Sequence, residues 1–509
     1  MENYAVLMKR LQNGNDVRGA AIACGDEAKT LTPGLVSFIA YAFAEYLAGK
    51  TGKAKEDLRI GVGHDSRVTA EELKKACLFG LSDCASYDCG LISTPAMFQS
   101  TVLPESHFDG SIMLTASHLP FNRNGMKFFT RDGGLEKQPL TEILERAAEL
   151  AAEYGTEDEE EFVRADRLPA AGRKAEPFDM VSIYADAMKK VIKEAVQGDD
   201  YEHPLKGLHI IVDAGNGASG FFASSILAPL GADTSGSVFL DPDGTFPNHI
   251  PNPENAAAME AARKATLDAG ADLGVIFDCD GDRGAVVFSD GTEVNRNTLI
   301  ALLAAIVSES APGTTVVTDS VTSDELAVFL TEKLGMKHLR FKRGYKNVIN
   351  KGIELNAAGE QCELAIETSG HGAFRENYFS DDGAYISVKI IIKMAQLLKE
   401  GKQSESLIAD LKSPAESKEI RFRSEADDFR KVGEKVLADF VEYAGRDPRF
   451  HIVEPNYEGV RVAFDDEEVK GWMLVRMSLH DPVLPMNVEA EKEGGAAVIM
   501  DRLMPFFGQ

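Results

Sequence analysis

The segment Leu58-Arg-Ile-Gly-Val-Gly63 runs into the turn His64-Asp-Ser-Arg67 and then into Ala70–Leu81. The first part is short and mainly apolar and predicts a buried strand, whereas the last part has apolar residues at helical spacing. The polar turn between them contains an aspartate. A strand, a turn and a helix in this order are the unit from which α/β domains are built, so this stretch decides the fold class.

The same order of elements occurs three times along the chain. Helices are predicted over Gly34–Leu47, Phe178–Ala195 and Asn297–Glu309, and strands after them at Leu58–Gly63, Leu208–Val212 and Thr314–Thr318. Each strand ends in an aspartate-containing turn, after which helical spacing resumes; the third turn leads into a helix predicted over Asp324–Leu334. Buried strands that alternate with helices predict α/β layers, so we expect three similar α/β domains with mainly parallel, mixed sheets.

The pattern changes after about residue 413. A predicted helix, Phe429–Tyr443, leads to two alternating strands, Gly459–Phe464 and Gly471–Arg476, and a final helix lies within Glu489–Leu503. This order indicates a smaller α+β domain at the C-terminal end. We place the four domains at 1–165, 175–305, 306–412 and 413–509, with the acidic run 157–161 in an exposed connection.

The composition narrows the class of function. The 509 residues carry a formal net charge of −27, which argues against general binding to nucleic acids or acidic membranes. An anionic substrate would therefore need positive charge concentrated locally. The chain begins without a basic and apolar leader and has no apolar run of membrane-spanning length, so we expect a cytoplasmic protein. Its six cysteines form no Cys-x-x-Cys pair and are predicted to be reduced, structural thiols.

The strongest single motif is Gly274-Val-Ile-Phe-Asp-Cys-Asp-Gly-Asp-Arg283. An apolar strand delivers Asp278, Asp280 and Asp282 into one turn, where they would repel each other unless a cation neutralises them. Carboxylate oxygens suit a hard divalent ion, so we predict one bound Mg²⁺. An EF-hand does not fit, because its sixth position would be arginine and its twelfth serine. Arg283, beside the metal, could hold a phosphate oxygen.

Ser117 and His118 follow the apolar strand Ser111–Leu114 in a stretch with turn signals. Three interpretations are open from the residues alone: a serine in a tight turn, the nucleophile of a hydrolase, or a serine that carries a phosphoryl group. The hydrolase is weakened because no Gly-x-Ser-x-Gly motif surrounds Ser117. Lys127, ten residues further on, could transfer a proton if neighbouring cations lowered its pKa.

Four motifs occur in order, one in each predicted domain: Thr115-Ala-Ser-His-Leu-Pro120, Asp278-Cys-Asp-Gly-Asp-Arg283, Glu367-Thr-Ser-Gly-His371 and Arg476-Met-Ser-Leu-His-Asp-Pro482. Supporting segments are Asp16–Gly19, Pro242–Pro247, Pro251–Pro253 and Gly344–Lys346. In these motifs the chain resembles the α-D-phosphohexomutases, most closely the phosphomannomutase/phosphoglucomutase branch. The four motifs resemble that family's phosphoserine, magnesium, sugar-recognition and phosphate-binding loops. The resemblance covers nearly the whole chain and implies four domains around a central cleft.

The resemblance implies a hexose-phosphate mutase that interconverts 1-phospho and 6-phospho isomers of mannose or glucose. Ser117 would donate its phosphoryl group to the sugar phosphate, and the resulting bisphosphate would turn around and return its other phosphate. The implied residues are catalytic Ser117, Lys127, Arg18 and His118; metal-binding Ser117, Asp278, Asp280 and Asp282; and substrate-binding Glu367, Ser369, His371, Lys346, Arg283, Arg476, Ser478 and His480. The implied cofactors are Mg²⁺ and a hexose 1,6-bisphosphate activator. A small-molecule sugar phosphate is the expected partner, and the chain would be a monomer or homodimer.

Four positions depart from the family pattern. Leu119 replaces the usual asparagine, His480 the usual threonine, Leu479 a small or polar residue, and His64 a frequent arginine. We hypothesise that His480 itself binds phosphate; an unchanged KM in His480→Ala would reject this. Three alternatives stay open: a phosphoglucosamine mutase, a serine-dependent sugar phosphatase, and a sugar-phosphate binding protein without turnover.

Overall fold

The computed structural model describes residues 4–154, 172–197, 200–424, 428–478 and 482–508. Tertiary contacts divide the chain into two compact units, which we describe separately. The first unit extends to Val294 and also contains Ser380–Gly401. The second unit contains Asn295–Phe379 and continues from Lys402.

The helices of both units, in chain order, are α1 Tyr4–Leu11, α2 Pro33–Thr51, α3 Ala70–Gly80, α4 Thr94–Val102, α5 Lys137–Tyr154, α6 Met180–Val196, α7 Ala256–Ala269, α8 Arg296–Ser310, α9 Asp324–Val328, α10 Tyr345–Ala357, α11 Gly383–Lys399, α12 Phe429–Ala444 and α13 Gly495–Phe507. The strands are β1 Gln12–Asn13, β2 Asp16–Ala20, β3 Arg59–His64, β4 Ala85–Leu91, β5 Gly110–Leu114, β6 Arg123–Thr130, β7 Gly133–Gly134, β8 Glu176–Pro177, β9 Ile210–Asp213, β10 Leu273–Phe277, β11 Gly284–Phe288, β12 Glu293–Val294, β13 Thr315–Thr318, β14 Lys337–Arg340, β15 Cys362–Ile366, β16 Gly372–Phe374, β17 Glu416–Arg423, β18 His451–Ile452, β19 Val460–Asp465, β20 Lys470–Val475 and β21 Val483–Ala490.

The first unit contains two mixed sheets. The larger has the order β1-β2-β6-β5-β3-β4-β8, with β7 paired to β6, and its central strands β3, β4 and β5 are parallel. The smaller has the order β12-β11-β10-β9. Helix α11 packs against α6 and β11 in this unit, although it follows the third sheet in sequence.

Helix α2 illustrates how the sequence sets the boundaries of an element. Thr32 caps the N-terminus by accepting a hydrogen bond from the Leu35 amide, and Pro33 occupies the first turn, where its missing N–H is not needed. Gly52 ends the helix in the left-handed region, with φ of 71°. The helix packs against α3 and α5, and its nearly continuous burial from Pro33 to Ala44 explains its uniformly apolar sequence.

The second unit contains two further sheets. The third sheet has the order β14-β13-β15-β16, in which β13 is parallel to both β14 and β15. The fourth sheet is antiparallel, in the order β17-β21-β20-β19-β18. The predicted fold class, three α/β domains with mixed sheets and a smaller α+β domain, is confirmed. The expected predominance of parallel pairs does not hold in the second sheet, where β9–β10 is parallel but β10–β11 and β11–β12 are antiparallel. The fourth domain has five strands where the sequence predicted two, since half-exposed strands such as β17 lack a continuous apolar run.

The three mixed sheets share a connection that determines where the predicted loops lie. In each sheet the chain leaves a parallel strand, turns, and forms the antiparallel strand next to it, in the pairs β5–β6, β10–β11 and β15–β16. The three connections contain Ser117, Asp278–Arg283 and Glu367–His371. An aspartate-containing turn follows the adjacent parallel strand in every case, so the loop and the turn lie at the same edge of the sheet.

The cysteines agree with the prediction of structural thiols. All six lie within the described ranges and are free, and five of them are buried. Burial raises the pKa of Cys84, Cys89 and Cys362 to about 12, which keeps these thiols protonated. Among the helices in the described ranges, none has both the length and the apolar character needed to span a membrane.

Candidate active site

Ser117 is buried in the loop that follows β5, and its main chain is held by hydrogen bonds. It lies just beyond β5, is 6% exposed, and has a left-handed backbone with φ of 51°. A side chain in this region costs about 1–3 kcal/mol, so the surroundings must hold it there. The Ser117 amide donates to Thr115 Oγ1 at 2.8 Å, and the Thr115 hydroxyl in turn donates to Asp65 Oδ2 at 2.6 Å.

The predicted metal loop meets this serine. Asp278 closes the β10–β11 turn, because its Oδ1 accepts the Gly281 amide at 3.0 Å and the Arg283 amide at 3.2 Å. Its other oxygen, Oδ2, accepts the Ser117 hydroxyl at 3.1 Å. Thus the loop of the first sheet and the loop of the second sheet come together within the first unit.

Asp280 and Asp282 lie around the ammonium of Lys127. Lys127 Nζ is 2.8 Å from Asp280 Oδ2 and 2.5 Å from Asp282 Oδ2, and all three side chains are at most 5% exposed. Thr94, at the start of α4, donates its hydroxyl to Asp280 Oδ2 at 2.5 Å. A buried cation thereby neutralises part of the carboxylate cluster.

The pairing with two carboxylates raises the pKa of Lys127. Burial alone would lower the pKa of Lys127, but Asp280 and Asp282 outweigh it and raise that pKa well above its usual range. Burial likewise opposes ionisation of Asp280, yet the Lys127 ammonium holds the pKa of this carboxyl well below its usual value. The condition under which Lys127 was expected to transfer a proton, a pKa lowered by neighbouring cations, is therefore not met in this state, because Asp280 and Asp282 contact its ammonium.

The three aspartates fit a hard divalent cation. One oxygen from each of Asp278, Asp280 and Asp282 lies within 4.8 Å of the other two. Asp280 Oδ1 is buried and has no hydrogen-bond partner among the described residues, which is costly for a carboxylate oxygen. An all-oxygen donor set with such an orphaned atom suits Mg²⁺.

Arg283 links the metal loop to the serine loop. Its Nε is 3.0 Å from Asp278 Oδ2, and its Nη2 donates to Ser117 Oγ at 3.2 Å and to His118 Nδ1 at 2.5 Å. His118 Nδ1 is also 3.3 Å from Ser117 Oγ, but its lone pair faces the guanidinium and is not available to take the serine proton. This geometry disfavours a Ser-His hydrolase and leaves the serine beside a fixed positive charge.

Arg18 approaches the same loop from the neighbouring strand. Strand β2 pairs with β6 so that Arg18 lies opposite Gly125, and Arg18 Nη1 donates to the Thr115 carbonyl at 3.3 Å. Its Nη2 pairs with Asp16 Oδ2 at 2.9 Å. The structure therefore brings all the predicted catalytic and metal-binding residues together within the first unit.

The second unit contains the predicted sugar-recognition residues. Glu367 is 3% exposed and accepts the Ser369 hydroxyl at 3.0 Å and the Gly344 amide at 2.5 Å. Burial and the nearby Asp319 carboxylate raise the pKa of Glu367. The His371 ring stacks on Tyr345 with centroids 5.0 Å apart. These contacts bring the loop and the start of α10 into one polar group.

Arg476 gives this unit a buried cation. It is 6% exposed, and its Nε has no hydrogen-bond partner among the described residues. Burial lowers the pKa of Arg476, and the charge of Arg343 lowers it further, whereas the Glu458 carboxylate opposes this shift. Ser478 follows on the same loop, where its amide donates to the Val483 carbonyl at 3.0 Å. His480 and Leu479 lie outside the described residues.

Family models match most of the chain. The models for the α/β/α domains I, II and III of phosphoglucomutase/phosphomannomutase match residues 9–154, 182–291 and 295–413. These segments together make up well over half of the sequence. The chain belongs to the phosphoglucomutase/phosphomannomutase family. The resemblance deduced from the four motifs is thereby confirmed.

Individual members of the phosphoglucomutase/phosphomannomutase family match over nearly the full length. A phosphomannomutase/phosphoglucomutase from Pseudomonas aeruginosa PAO1 is 29% identical over 94% of this chain and 91% of its own. A probable phosphoglucosamine mutase from Methanopyrus kandleri is 28% identical over 94% of this chain and 95% of its own. A family structure from Burkholderia thailandensis has a TM-score of 0.75 at 24% identity, covering 100% and 98% of the two chains, which shows the shared fold.

Sequence reasoning missed several residues of this candidate site. It treated the aspartate-containing turns only as domain markers, yet Asp65 accepts the Thr115 hydroxyl and Asp319 accepts the Thr368 hydroxyl at 2.8 Å. In both domains, therefore, a turn aspartate holds a threonine just before a predicted functional serine. The repeated strand-then-aspartate pattern was the available signal. No sequence signal pointed to Thr94, because its partner Asp280 is 186 residues away in sequence.

Proposed function

We propose that this chain interconverts 1-phospho and 6-phospho isomers of glucose or mannose through a phosphoserine at Ser117. Membership of the family makes the chain an intramolecular phosphotransferase. The observation that carries the specific proposal is the hydroxyl of Ser117, 3.1 Å from Asp278 Oδ2 and 3.2 Å from Arg283 Nη2. A buried hydroxyl between a carboxylate cluster and a guanidinium suits a group that carries a phosphoryl between transfers.

In the first transfer, a hydroxyl oxygen of the bound sugar phosphate forms a bond to the phosphorus on Ser117. The bond between phosphorus and Ser117 Oγ breaks, and the serine oxygen leaves with the electron pair. We assign the proton of the attacking hydroxyl to Lys127, supported by Arg18. Lys127 must leave its pairing with Asp280 and Asp282 before it can accept a proton, because that pairing keeps it charged.

Arg283 would stabilise charge on the transferred phosphoryl group, since its guanidinium already reaches the serine oxygen. Mg²⁺ bound by Asp278, Asp280 and Asp282 would supply further positive charge against the developing negative charge. His118, whose ring accepts from Arg283, would keep that guanidinium in place. These residues hold the phosphoryl group still while the bond to oxygen is exchanged.

The second transfer reverses the first on the other end of the sugar. We propose that Glu367, Ser369 and His371 bind the sugar hydroxyls in both orientations. Arg476, Ser478, Lys346 and His480 are proposed to bind the phosphate that is not transferred. The buried Arg476 supports this assignment, because its Nε has no hydrogen-bond partner among the described residues and a phosphate oxygen could supply one. A hexose 1,6-bisphosphate activator would restore the phosphoserine if the intermediate escaped.

A second substrate is favoured by one observation. A relative of similar identity and coverage is named a probable phosphoglucosamine mutase. The C2 substituent distinguishes glucosamine from glucose by one amino group, which is a small change for a site made of carboxylate, hydroxyl and imidazole groups. Glucosamine phosphate is therefore the alternative substrate of the same reaction.

The decisive assay uses purified protein with Mg²⁺ and a catalytic amount of glucose 1,6-bisphosphate. Glucose, mannose and glucosamine 1-phosphates are compared, and the 6-phosphate products and free inorganic phosphate are both measured. Isomerisation without phosphate release is expected, and it should disappear in Ser117→Ala. Absence of isomerisation with all three sugars would reject the mutase, and stoichiometric phosphate release would favour a phosphatase. A cytoplasmic location and a monomeric or dimeric state stay part of the proposal.

A further inference from the structure

We propose that Arg67 is the positioning residue of the Ser117 loop, and that the turn Asp243–Phe246 of the second domain holds Arg67 in place. Arg67 lies in the turn after β3 and is 2% exposed. Its effect on catalysis rests on the proposed role of Ser117, whereas its effect on the loop does not. Arg67, the Ser117 loop and the turn Asp243–Phe246 all lie in the first unit.

The guanidinium of Arg67 binds the loop entirely through main-chain oxygens. Nη2 donates to the carbonyls of Ser117 at 2.5 Å and Leu119 at 2.6 Å. Nη1 donates to the carbonyls of Pro120 and Arg123, both at 2.8 Å. A single side chain thus binds four carbonyls along the whole connection between β5 and β6.

Only arginine supplies the donors for this arrangement. Its planar guanidinium presents several N–H groups in a fixed fork, whereas lysine concentrates its donors on one nitrogen. Without Arg67 each of these buried or partly buried carbonyls would lose a hydrogen bond, which is costly for main-chain groups shielded from water. The loop would then lose the side chain that links its Ser117 end to its Arg123 end.

The Arg67 guanidinium also helps to hold the strained backbone of Ser117. Ser117 keeps its φ of 51° while its amide is bound by Thr115 and its carbonyl by Arg67. Asp65 ties the two supports together, because it accepts the Thr115 hydroxyl at 2.6 Å and the Arg67 amide at 3.0 Å. The backbone at Ser117 is therefore held on both sides by residues that the turn after β3 contacts.

A turn of the second domain packs against Arg67. An added Cβ on Gly244 would lie 2.4 Å from the Ser66 carbonyl oxygen and 2.6 Å from Arg67 Cα, so the turn touches the backbone there. The Phe246 ring lies 5.4 Å from the Arg67 guanidinium, in cation–π range. Phe246 itself has φ of 49°, and its amide donates to the Asp243 carbonyl at 3.0 Å. A bulky residue in this region indicates a conformation imposed by packing.

This arrangement explains two features of the sequence. In the segment Pro242–Pro247, the Asp243 carboxylate accepts the Thr245 amide and hydroxyl within the turn, and Gly244 and Phe246 contact Arg67. Leu119, which departs from the family pattern, contributes its carbonyl to the guanidinium. The hold on the loop thus does not depend on the side chain at that position.

The first test compares wild type, Arg67→Lys and Arg67→Met by amide hydrogen exchange, well below the melting temperature. We expect exchange in residues 117–124 to become at least about tenfold faster in both variants, with exchange in the fourth domain unchanged. Arg446→Lys, at an arginine side chain that is 78% exposed, is the matched control. Unchanged exchange of the loop in Arg67→Lys would overturn the proposal.

The value of kcat per folded molecule distinguishes a positioning role of Arg67 from a loss of stability alone. We expect kcat to fall by about 10²-fold in Arg67→Lys while KM for the sugar phosphate changes less than about threefold, because the misplaced serine affects transfer rather than binding. A variant that loses only folded protein would keep the same kcat per folded molecule, and that result would contradict a positioning role.

Phe246 keeps the proposal testable if the Arg67 variants do not fold. Phe246→Ala and Phe246→Gly both remove the ring, but glycine accepts the left-handed backbone without strain. Faster loop exchange in both variants supports the role of the ring, whereas wild-type exchange in both would reject it. Failure of the proposed function is separate: wild-type protein would then neither isomerise sugars nor become phosphorylated, while the exchange experiment would still decide the role of Arg67.

Discussion

Lys127 Nζ lies 2.8 Å from Asp280 Oδ2 in the interior of the first unit, inside the carboxylate cluster that the sequence predicts to bind a metal. The ammonium and a divalent cation would neutralise the same charges. Removing one partner of a buried ion pair is strongly destabilising, because the other charge remains desolvated. The stability of the unit and its metal affinity are therefore coupled through this pair.

Lys127→Met should both destabilise the protein and change its response to metal. Without the ammonium, the cluster loses its buried counter-ion, which costs about 3–5 kcal/mol for comparable pairs. We expect a lower melting temperature, a loss of at least about 10²-fold in kcat, and a larger increase in melting temperature with Mg²⁺ than in wild type. Lys190→Met, at a side chain 73% exposed, is the control. Equal shifts with Mg²⁺ in both proteins would contradict the coupling.

Asp280→Asn should weaken the response to Mg²⁺. The substitution removes one carboxylate charge from the cluster and keeps the size of the side chain, so metal affinity falls while packing is retained. We expect the Mg²⁺ concentration for half-maximal activity to rise at least about tenfold, and the metal-induced increase in melting temperature to shrink. The exposed Asp268→Asn serves as control. An unchanged Mg²⁺ titration would remove Asp280 from the metal site.

Arg476→Ala should weaken binding of the sugar phosphate. The side chain is buried, and a charge-assisted hydrogen bond of this kind contributes about 1.5–3 kcal/mol. We expect KM to rise about 10- to 100-fold, and sulfate to stabilise the wild type against heat but not the variant. Arg421→Ala, at an arginine side chain 65% exposed, should behave as wild type. If sulfate stabilised both proteins equally, anion binding would have to be assigned elsewhere.

Glu489 should make the second unit less stable as pH rises. Burial, assisted by the charge of Glu325, raises the pKa of Glu489 to about 7 from an ordinary 4.5. Between these values the folded state binds more protons than the unfolded state, so the free energy of unfolding falls with increasing pH. The decrease in the free energy of unfolding is at most about 3 kcal/mol and is complete once the pH exceeds about 7.

The measurement compares urea unfolding at pH 5 and pH 8 in wild type and Glu489→Gln. Trp472, the single tryptophan, donates to Glu489 Oε2 at 3.0 Å and provides the fluorescence signal. Glutamine keeps an acceptor for this bond but does not titrate, so the pH dependence should decrease in the variant. The exposed Glu493→Gln should keep the wild-type dependence. The same dependence in Glu489→Gln and wild type would refute the assignment.

Local sequence patterns were sufficient to predict the positions of most helices and strands and of the loops between them. Helix α3, predicted over 70–81, spans Ala70–Gly80, and β13, predicted over 314–318, spans Thr315–Thr318. Apolar periodicity and turn residues are properties of neighbouring positions, so they can be read along the chain. The segment predicted as one helix from Asp324 divides into α9 and a π-helical turn Phe329–Lys333, a change of hydrogen-bond register that the apolar spacing does not encode.

The sequence by itself determined the family, the order of the four loops and the residue types proposed to carry the chemistry, because each motif is short and continuous. Only the tertiary structure decided which charges face each other. It placed Lys127 against Asp280, 153 residues away, and so raised the lysine pKa instead of lowering it. It also assigned Arg67 to the serine loop, since four carbonyls from different positions converge on one guanidinium only after the strands have paired. Electrostatic energies depend on distance and burial in space, and spacing along the chain specifies neither.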